Sequence, residues 1–213
     1  MTSDYLVPLG ITLWHTLIIY LPAWIIGTLL GVILSFALWY LPNRFSRNVY
    51  AILSGISFIP TTILIPFFLR GFGIDFFIYP LLVLPVTLIT LASSYEAFQH
   101  SNRHRLTLVV NYGIGKIEFF WKVVFREALP SMKTTTRQTL SLCFAIFLAI
   151  DYFAEYWHGL GGMAQKFYSQ SAFNQSNHVL LWLTIGIAGA IGVGQVLLND
   201  FMFKNFIEFR RHY

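Results

Sequence analysis

Two acidic residues interrupt an otherwise apolar part of the sequence, and their spacing indicates chemistry. Asp151 and Glu155 are four residues apart, which places both carboxylates on one face of a helix. Ionisable groups within an apolar span are costly and often functional, as contacts for a solute or an ion. Solvation at a helix end explains them equally well. Thr87 and Ser94 are weaker candidates of the same kind, because such hydroxyls also bond to their own helix backbone.

Residues for metal or nucleophilic catalysis do not cluster in the sequence. The six histidines are scattered, and only His100 and His104 share a helical spacing, without a glutamate that would make a zinc motif. The one cysteine, Cys143, lies in an apolar run and cannot form an intramolecular disulfide. The sequence contains no phosphate-binding loop. We therefore predict no catalytic residue and no metal ligand, and a membrane-embedded enzyme is a less favoured alternative.

The composition predicts an integral membrane protein. Of the 213 residues, 56% are hydrophobic and only 11% are charged, whereas soluble domains have roughly 25% charged residues. A soluble fold could not bury so much apolar surface. The net charge of +5 would suggest nucleic-acid binding in a soluble protein. No basic stripe stands apart from the apolar runs, so no nucleic-acid partner is predicted.

Five apolar segments are long enough to cross a bilayer, which needs roughly 20 helical residues. We predict one all-α transmembrane domain over residues 1–213, with its spans near 13–41, 49–69, 76–97, 139–157 and 179–203. Small residues recur every four positions in two spans and predict close helix packing. The two rows are Gly27, Gly31 and Ser35, and Gly186, Ala190 and Gly194.

The basic residues predict the orientation of the spans, because cytoplasmic loops are enriched in Lys and Arg. With five spans, one side of the membrane holds twelve of these residues and the other holds only Arg70 and Lys166. The N-terminus is then outside and the C-terminus in the cytoplasm. The twelve are Arg44, Arg47, Arg103, Arg105, Lys116, Lys122, Arg126, Lys133, Arg137, Lys204, Arg210 and Arg211.

A polar stretch between the third and fourth predicted spans, residues 99–137, is too long for a simple turn. Apolar residues from Ile117 to Val124 recur at helical spacing, and Gly113 and Gly115 precede them. We expect two short helices joined by a glycine-containing turn, lying across the cytoplasmic face. An interfacial amphipathic helix without a partner is the alternative.

The run Gly113–Pro130 resembles the cytoplasmic signature loop of ABC importer permeases. Gly113 matches the glycine of that motif, Val123 stands at its isoleucine position, and Ala128-Leu129-Pro130 matches its trailing Ala-Leu-Pro. Thr107, Leu108 and Val109 stand where the family has Glu-Ala-Ala. Ala154-Glu155 and Gly159-Leu160-Gly161 are similar to a stretch of the nitrate, sulfonate and taurine subfamily.

The resemblance implies the transmembrane subunit of an ATP-driven importer in a bacterial plasma (inner) membrane. Such a non-catalytic subunit forms half of the translocation pathway and binds no cofactor, because ATP is bound by a partner. The implied partners are ABC ATPase subunits, a second permease subunit (an identical or a different chain) and an extracytoplasmic substrate-binding protein. The subfamily resemblance leans to small organic or inorganic anions as substrates, although importers of thiamine precursors and related compounds look similar. The ATPase-coupling candidates are Gly113, Gly115, Lys116, Phe119, Trp121, Lys122, Arg126 and Pro130.

The four polar candidates Asp151, Glu155, Thr87 and Ser94 would then line the translocation path. A secondary transporter or a channel subunit is the alternative within the transport class. Internal inverted repeats would favour a secondary transporter, and no convincing repeat is found in five spans.

Overall fold

Helices make up all the regular structure that the computed structural model describes, which covers residues 3–57, 74–102, 115–153, 159–171 and 175–208. The predicted all-α fold is confirmed for these ranges. The helices are α1 (Ser3–Tyr40), α2 (Asn43–Ser57), α3 (Ile74–Asn102), α4 (Lys116–Phe119), α5 (Phe125–Phe153), α6 (Leu160–Ser171) and α7 (Gln175–Glu208), and a π-helical turn (Phe120–Val124) joins α4 to α5.

Helix α1 ends at Tyr40 because of the proline that follows two residues later. Pro42 disfavours the helical conformation for Leu41, and its own carbonyl starts the next helix by accepting the N–H groups of Phe45 and Ser46, both at 3.0 Å. The start of α1 at Ser3 lies before the predicted span 13–41, since polar residues at a helix end do not interrupt the helix itself.

Three helices of the described ranges are long and apolar enough to cross a membrane: Leu9–Tyr40, Ile78–His100 and His178–Phe201. They correspond to the first, third and fifth predicted spans. The fourth prediction, 139–157, falls on the apolar second half of α5, whose first half is polar. Helix α2 covers only the start of the second prediction, 49–69, and its remainder lies outside the described residues.

Glycines bring α1 and α3 into close contact. A Cβ added at Gly27 would lie 2.8 Å from Val86 Cγ1, and one added at Gly31 would lie 2.7 Å from Thr90 Cβ. The predicted packing role of the first small-residue row is confirmed at these two positions. Because residue numbers rise together along both helices, α1 and α3 are parallel.

Helix α5 runs in the opposite direction to α1. The indole Nε1 of Trp24 donates to Thr139 Oγ1 (3.3 Å), whereas Tyr20, one turn earlier in α1, packs its ring against Phe144, later in α5, with the ring centroids 5.1 Å apart. In α7, Asn199 contacts the early part of α5, so α7 is again parallel to α1. Helices α1, α3 and α7 thus run in one direction, and α5 runs in the opposite direction.

The two ends of this bundle differ in chemistry. The end formed by Tyr40, Asn102 and Lys116 carries most of the described lysine and arginine residues, and we refer to it as the basic end. Helix α6 lies at the other end, where no element was predicted. Its polar sequence, Leu160–Ser171, is too short and too hydrophilic for a span, which is why a search for spans misses it.

Candidate functional site

The segment Lys116–Val124 is anchored to the basic end of α1 and α3 by an aromatic cluster. Phe120 lies at its centre and is 1% exposed. Its ring centroid lies 4.4 Å from that of Phe36, 5.0 Å from that of Trp39 and 5.0 Å from that of Phe98. Aromatic pairs at such separations add stability beyond the area they bury. The segment is therefore held by packing and is not a free loop.

Lys116 adds a polar link to the same anchor. Its Nζ donates to the carbonyl oxygen of Tyr40 (3.0 Å) and lies 4.5 Å from the centroid of the Tyr40 ring. The last carbonyls of a helix have no partner within it and carry partial negative charge, so a cation stabilises them. No basic residue lies in the last turn of α1. Lys116 supplies that cation from another part of the chain.

The opposite face of the anchored segment points outward. Ile117 is 55% exposed and Trp121 is 54% exposed, and their spacing of four residues places both on one side of the segment. Glu118 and Lys122, each the next residue after one of these two, form an ion pair in which Lys122 Nζ lies 2.5 Å from Glu118 Oε1. We call Ile117, Glu118, Trp121 and Lys122 the outer face.

The other predicted coupling residues extend along the same helix. The Gly115 carbonyl accepts the N–H of Phe119 (2.9 Å), which begins α4, and Phe119 is buried in the aromatic cluster. Arg126 and Pro130 are exposed on the first turns of α5. The expected second short helix would lie in residues 103–114. These residues, which include Gly113, are outside the described ranges. The helix from Lys116 instead continues through the π turn into α5.

Asp151 lies in a different place and has a clear structural contact. It is 1% exposed, and its Oδ2 accepts the N–H of Gly162 at 2.9 Å. Gly162 is in the first turn of α6, where N–H groups lack intrahelical partners and a negative charge is favourable. Thr16 Oγ1 of α1 accepts a second such N–H, from Leu160, at 3.2 Å. Asp151 and Thr16 together fix the start of α6.

Two glycines allow this approach. A Cβ at Gly159 would collide with the Asp151 carboxylate, and one at Gly161 would lie 2.8 Å from the Tyr152 nitrogen. The Gly-Leu-Gly stretch that carried part of the family resemblance is thus the place where α6 meets α5. Glu155, which was predicted to share a helix face with Asp151, lies outside the described residues.

The hydroxyl candidates differ from each other. Thr87 Oγ1 donates to the Val83 carbonyl of its own helix (2.8 Å). Ser94 is 1% exposed, and its Oγ has no hydrogen-bond partner among the described residues. The structure does not bring Asp151, Thr87 and Ser94 together, since Asp151 lies at the α6 end and Ser94 toward the basic end.

The aromatic anchor was missed by sequence reasoning. Its members come from three separate segments, at Phe36 and Trp39, at Phe98, and at Phe119 and Phe120. The only local signal was the density of aromatic residues just before Pro42 and again after Gly115. Nothing in that density indicates that the two groups pack against each other.

This helical arrangement resembles, in fold, chains of two solved ABC transporter structures. The structure of the chain is similar to that of a chain of the MetNI methionine ABC transporter in an inward-facing conformation. The TM-score is 0.68, the identity is 17%, and 98% of each chain is covered. It is also similar to an amino acid ABC transporter with histidines, with a TM-score of 0.68, 12% identity, and 95% of this chain and 96% of that chain covered. At such low identity the likeness establishes the fold alone. No protein-family model and no curated protein matches the sequence.

Proposed function

We propose that this chain is the transmembrane subunit of an ATP-driven importer. It forms half of a translocation pathway and is coupled to a separate ATPase through the segment 113–130. The fold likeness to importer subunits supports the class of protein. The sequence match of Gly113–Pro130 to the signature loop supports the coupling role.

One observation carries the proposal: the segment is fixed on its inner side and open on its outer side. Phe119 and Phe120 are buried against α1 and α3, while Ile117 and Trp121 are exposed. A surface that transmits movement has to be rigidly attached to what it moves and accessible to what moves it. An exposed indole next to an isoleucine, with a charged pair beside them, has the composition of a protein-binding patch.

The remaining parts of the proposal follow from the same class. ATP would be bound and hydrolysed by the partner, with no catalytic role for this chain. A second permease subunit, identical or different, would complete the pathway, and an extracytoplasmic binding protein would deliver the solute. The location is a bacterial plasma membrane, with the basic end in the cytoplasm. Membership of the nitrate, sulfonate and taurine subfamily stays a prediction.

Asp151, Glu155, Thr87 and Ser94 stay proposed pathway residues, and the contacts described above rank them. Because Thr87 already bonds to its own backbone, Thr87→Val should leave transport unchanged. Ser94→Ala should alter transport if its unpartnered hydroxyl contacts the solute. Transport that survives the double change Asp151→Asn and Glu155→Gln would remove the acidic pair from the pathway.

Site-directed crosslinking tests the coupling role. In a Cys143→Ala background, single cysteines at Ile117 and Trp121 would carry a benzophenone photocrosslinker, with a candidate ABC ATPase partner co-expressed. The matched control is a cysteine at Tyr168, which is 63% exposed on α6 at the other end of the bundle. Adducts with the ATPase from positions 117 and 121 but not from 168 are expected. No adduct from either outer-face position would contradict the proposal.

A further inference from the structure

A cleft between α1 and α7 is a feature of the described structure that the coupling role does not use. It encloses about 290 Å³, and α5 forms its floor. Tyr20 and Trp24 line one side, Leu140 the floor, and Gly194, Gln195 and Asn199 the other side. Gly194 borders the open space of the cleft, since a Cβ added there would meet nothing within 4 Å.

The wall of the cleft contains neutral polar groups that are only partly satisfied. Gln195 is 8% exposed and Asn199 is 2% exposed. The Gln195 Nε2 donates to the Tyr20 hydroxyl, and the Asn199 Nδ2 donates to the Lys133 carbonyl at 3.5 Å. Neither Gln195 Oε1 nor Asn199 Oδ1 has a donor among the described residues.

Two unsatisfied amide oxygens argue that this cleft does not face lipid. A polar group without a partner in hydrocarbon costs several kcal/mol. Polar side chains within spans accordingly face the bundle interior or a water-filled cavity. The other outward face of α1 fits lipid instead, since it presents Ile25, Leu29 and Ile33, all exposed and apolar.

The charge of the cleft limits what can occupy it. No charged side chain lines it among the described residues. The nearest described ion pair, between Lys133 Nζ and Asp200 Oδ1 at 3.0 Å, joins α5 to α7 just beyond Asn199, where it neutralises itself. A charged solute would lose its hydration here without gaining a partner.

We propose that this cleft binds the transported solute, and that the solute is small and uncharged, with an apolar body and N–H or O–H donors. The apolar body would pack on Tyr20, Trp24 and Leu140. The donors would bond to Gln195 Oε1 and Asn199 Oδ1, which are buried and reach the cleft by rotation about a soft terminal torsion. The substrate class rests on the proposed importer function. It departs from the anions that the subfamily resemblance suggested.

A matched pair of probes isolates the effect of charge. The chain is reconstituted alone in lipid nanodiscs, and 4-fluorobenzamide or 4-fluorobenzoate is titrated while the ¹⁹F line width is followed. The two probes share an aromatic body and differ in charge and in N–H donors. We expect the amide to bind about tenfold more tightly than the carboxylate, as the loss of a buried hydrogen bond implies.

Two variants locate the binding. Gly194→Leu fills the cleft and should abolish the broadening of the amide signal, whereas Gly189→Leu is the control, since it lies on the same helix, has equally open space and does not line the cleft. Gln195→Met with Asn199→Leu should weaken amide binding about tenfold at nearly constant volume.

Equal broadening by both probes would show that charge does not decide binding, and equal broadening in Gly194→Leu and the unchanged chain would mean partition into lipid. Either result would overturn the proposal. Crosslinking of a cysteine at Leu198 to a second copy of the chain, with no amide binding, would assign the cleft to a subunit interface and overturn it too. Since the ATPase is absent from this experiment, its outcome is independent of the crosslinking test of coupling.

Discussion

The Nζ of Lys116 lies 3.0 Å from the backbone carbonyl oxygen of Tyr40, and this contact joins the start of the segment Lys116–Val124 to the end of the first long helix. It brings together residues that are 76 positions apart in the sequence. Any displacement of the segment is thereby passed to α1 directly, as well as along the chain into α5.

Replacing Lys116 by methionine should loosen the segment without unfolding the chain. The change removes the bond to Tyr40 and the contact with its ring, and exposed cation–π contacts contribute about 0.5–1 kcal/mol. Amide hydrogen exchange over 116–124 should become roughly two- to fivefold faster. Lys122→Met is the control, because Glu118 is the ion-pair partner of Lys122 within the described part of the chain and such exposed pairs contribute little. Equal exchange in both variants would contradict the anchoring role.

Phe120 and Trp121 should separate stability from partner binding. Phe120→Ala removes the central ring of the aromatic cluster and should lower the free energy of unfolding by about 3–5 kcal/mol, measured by denaturant titration in mixed micelles. Trp121→Ala removes a half-exposed ring that touches the edge of the cluster at Phe120 and Phe125, so it should lower that free energy clearly less than Phe120→Ala while reducing capture of the ATPase. A large loss of stability in the Trp121 variant would show that its ring belongs to the anchor.

Adding a methyl group should have opposite effects at two glycines. At Gly31 the new Cβ would meet Thr90 Cβ at 2.7 Å and the Thr87 carbonyl oxygen at 2.8 Å, so Gly31→Ala should destabilise by about 1–3 kcal/mol. At Gly186 it would meet nothing within 4 Å, and the alanine should be neutral or stabilising by up to about 1 kcal/mol. Thermal unfolding of both variants in detergent gives the comparison. A stabilising Gly31→Ala would refute the parallel contact of α1 with α3.

Asp151 should be needed for the position of α6 whether or not it contacts a solute. Asp151→Ala removes the acceptor of the Gly162 N–H and should cost about 0.5–2 kcal/mol, as the loss of a helix cap does. Asp151→Asn keeps an oxygen acceptor and should cost less. Limited proteolysis within 159–171 reports the loosening of α6. Cleavage that is equally slow in the alanine variant and the unchanged chain would argue against this role.

The sequence predicted the apolar spans because composition and length are local properties. The Gly27 and Gly31 row was also readable, since spacing along one helix determines which face carries the small residues. The second row was equally visible in the sequence. However, a Cβ added at Gly186 or Gly194 would lie within 4 Å of no other described part of the chain. A spacing rule identifies a surface that can be approached closely, but not the helix that approaches it.

Contacts between distant segments could not be predicted. Phe120 was not singled out, although it is more deeply buried than the predicted coupling residue Trp121, because its partners come from α1 and α3. The contact of Asp151 with the start of α6 could not be predicted either, since α6 is an element that hydropathy does not reveal. Gln195 was overlooked for a related reason. A single amide in an apolar helix does not indicate a site by itself, and its hydrogen bond to Tyr20 of α1 cannot be read from the sequence.

The π-helical turn Phe120–Val124 sets the rotation of α4 about the helix axis relative to α5. A π turn holds one residue more than the α-helix it interrupts, and each residue of an α-helix advances the chain by about 100° around the axis. Deleting a single residue there would restore a regular helix but rotate Phe119 and Phe120 away from their sockets on α1 and α3. The length of this turn is therefore constrained more tightly than its composition, and tolerated sequence changes in it should be substitutions rather than deletions.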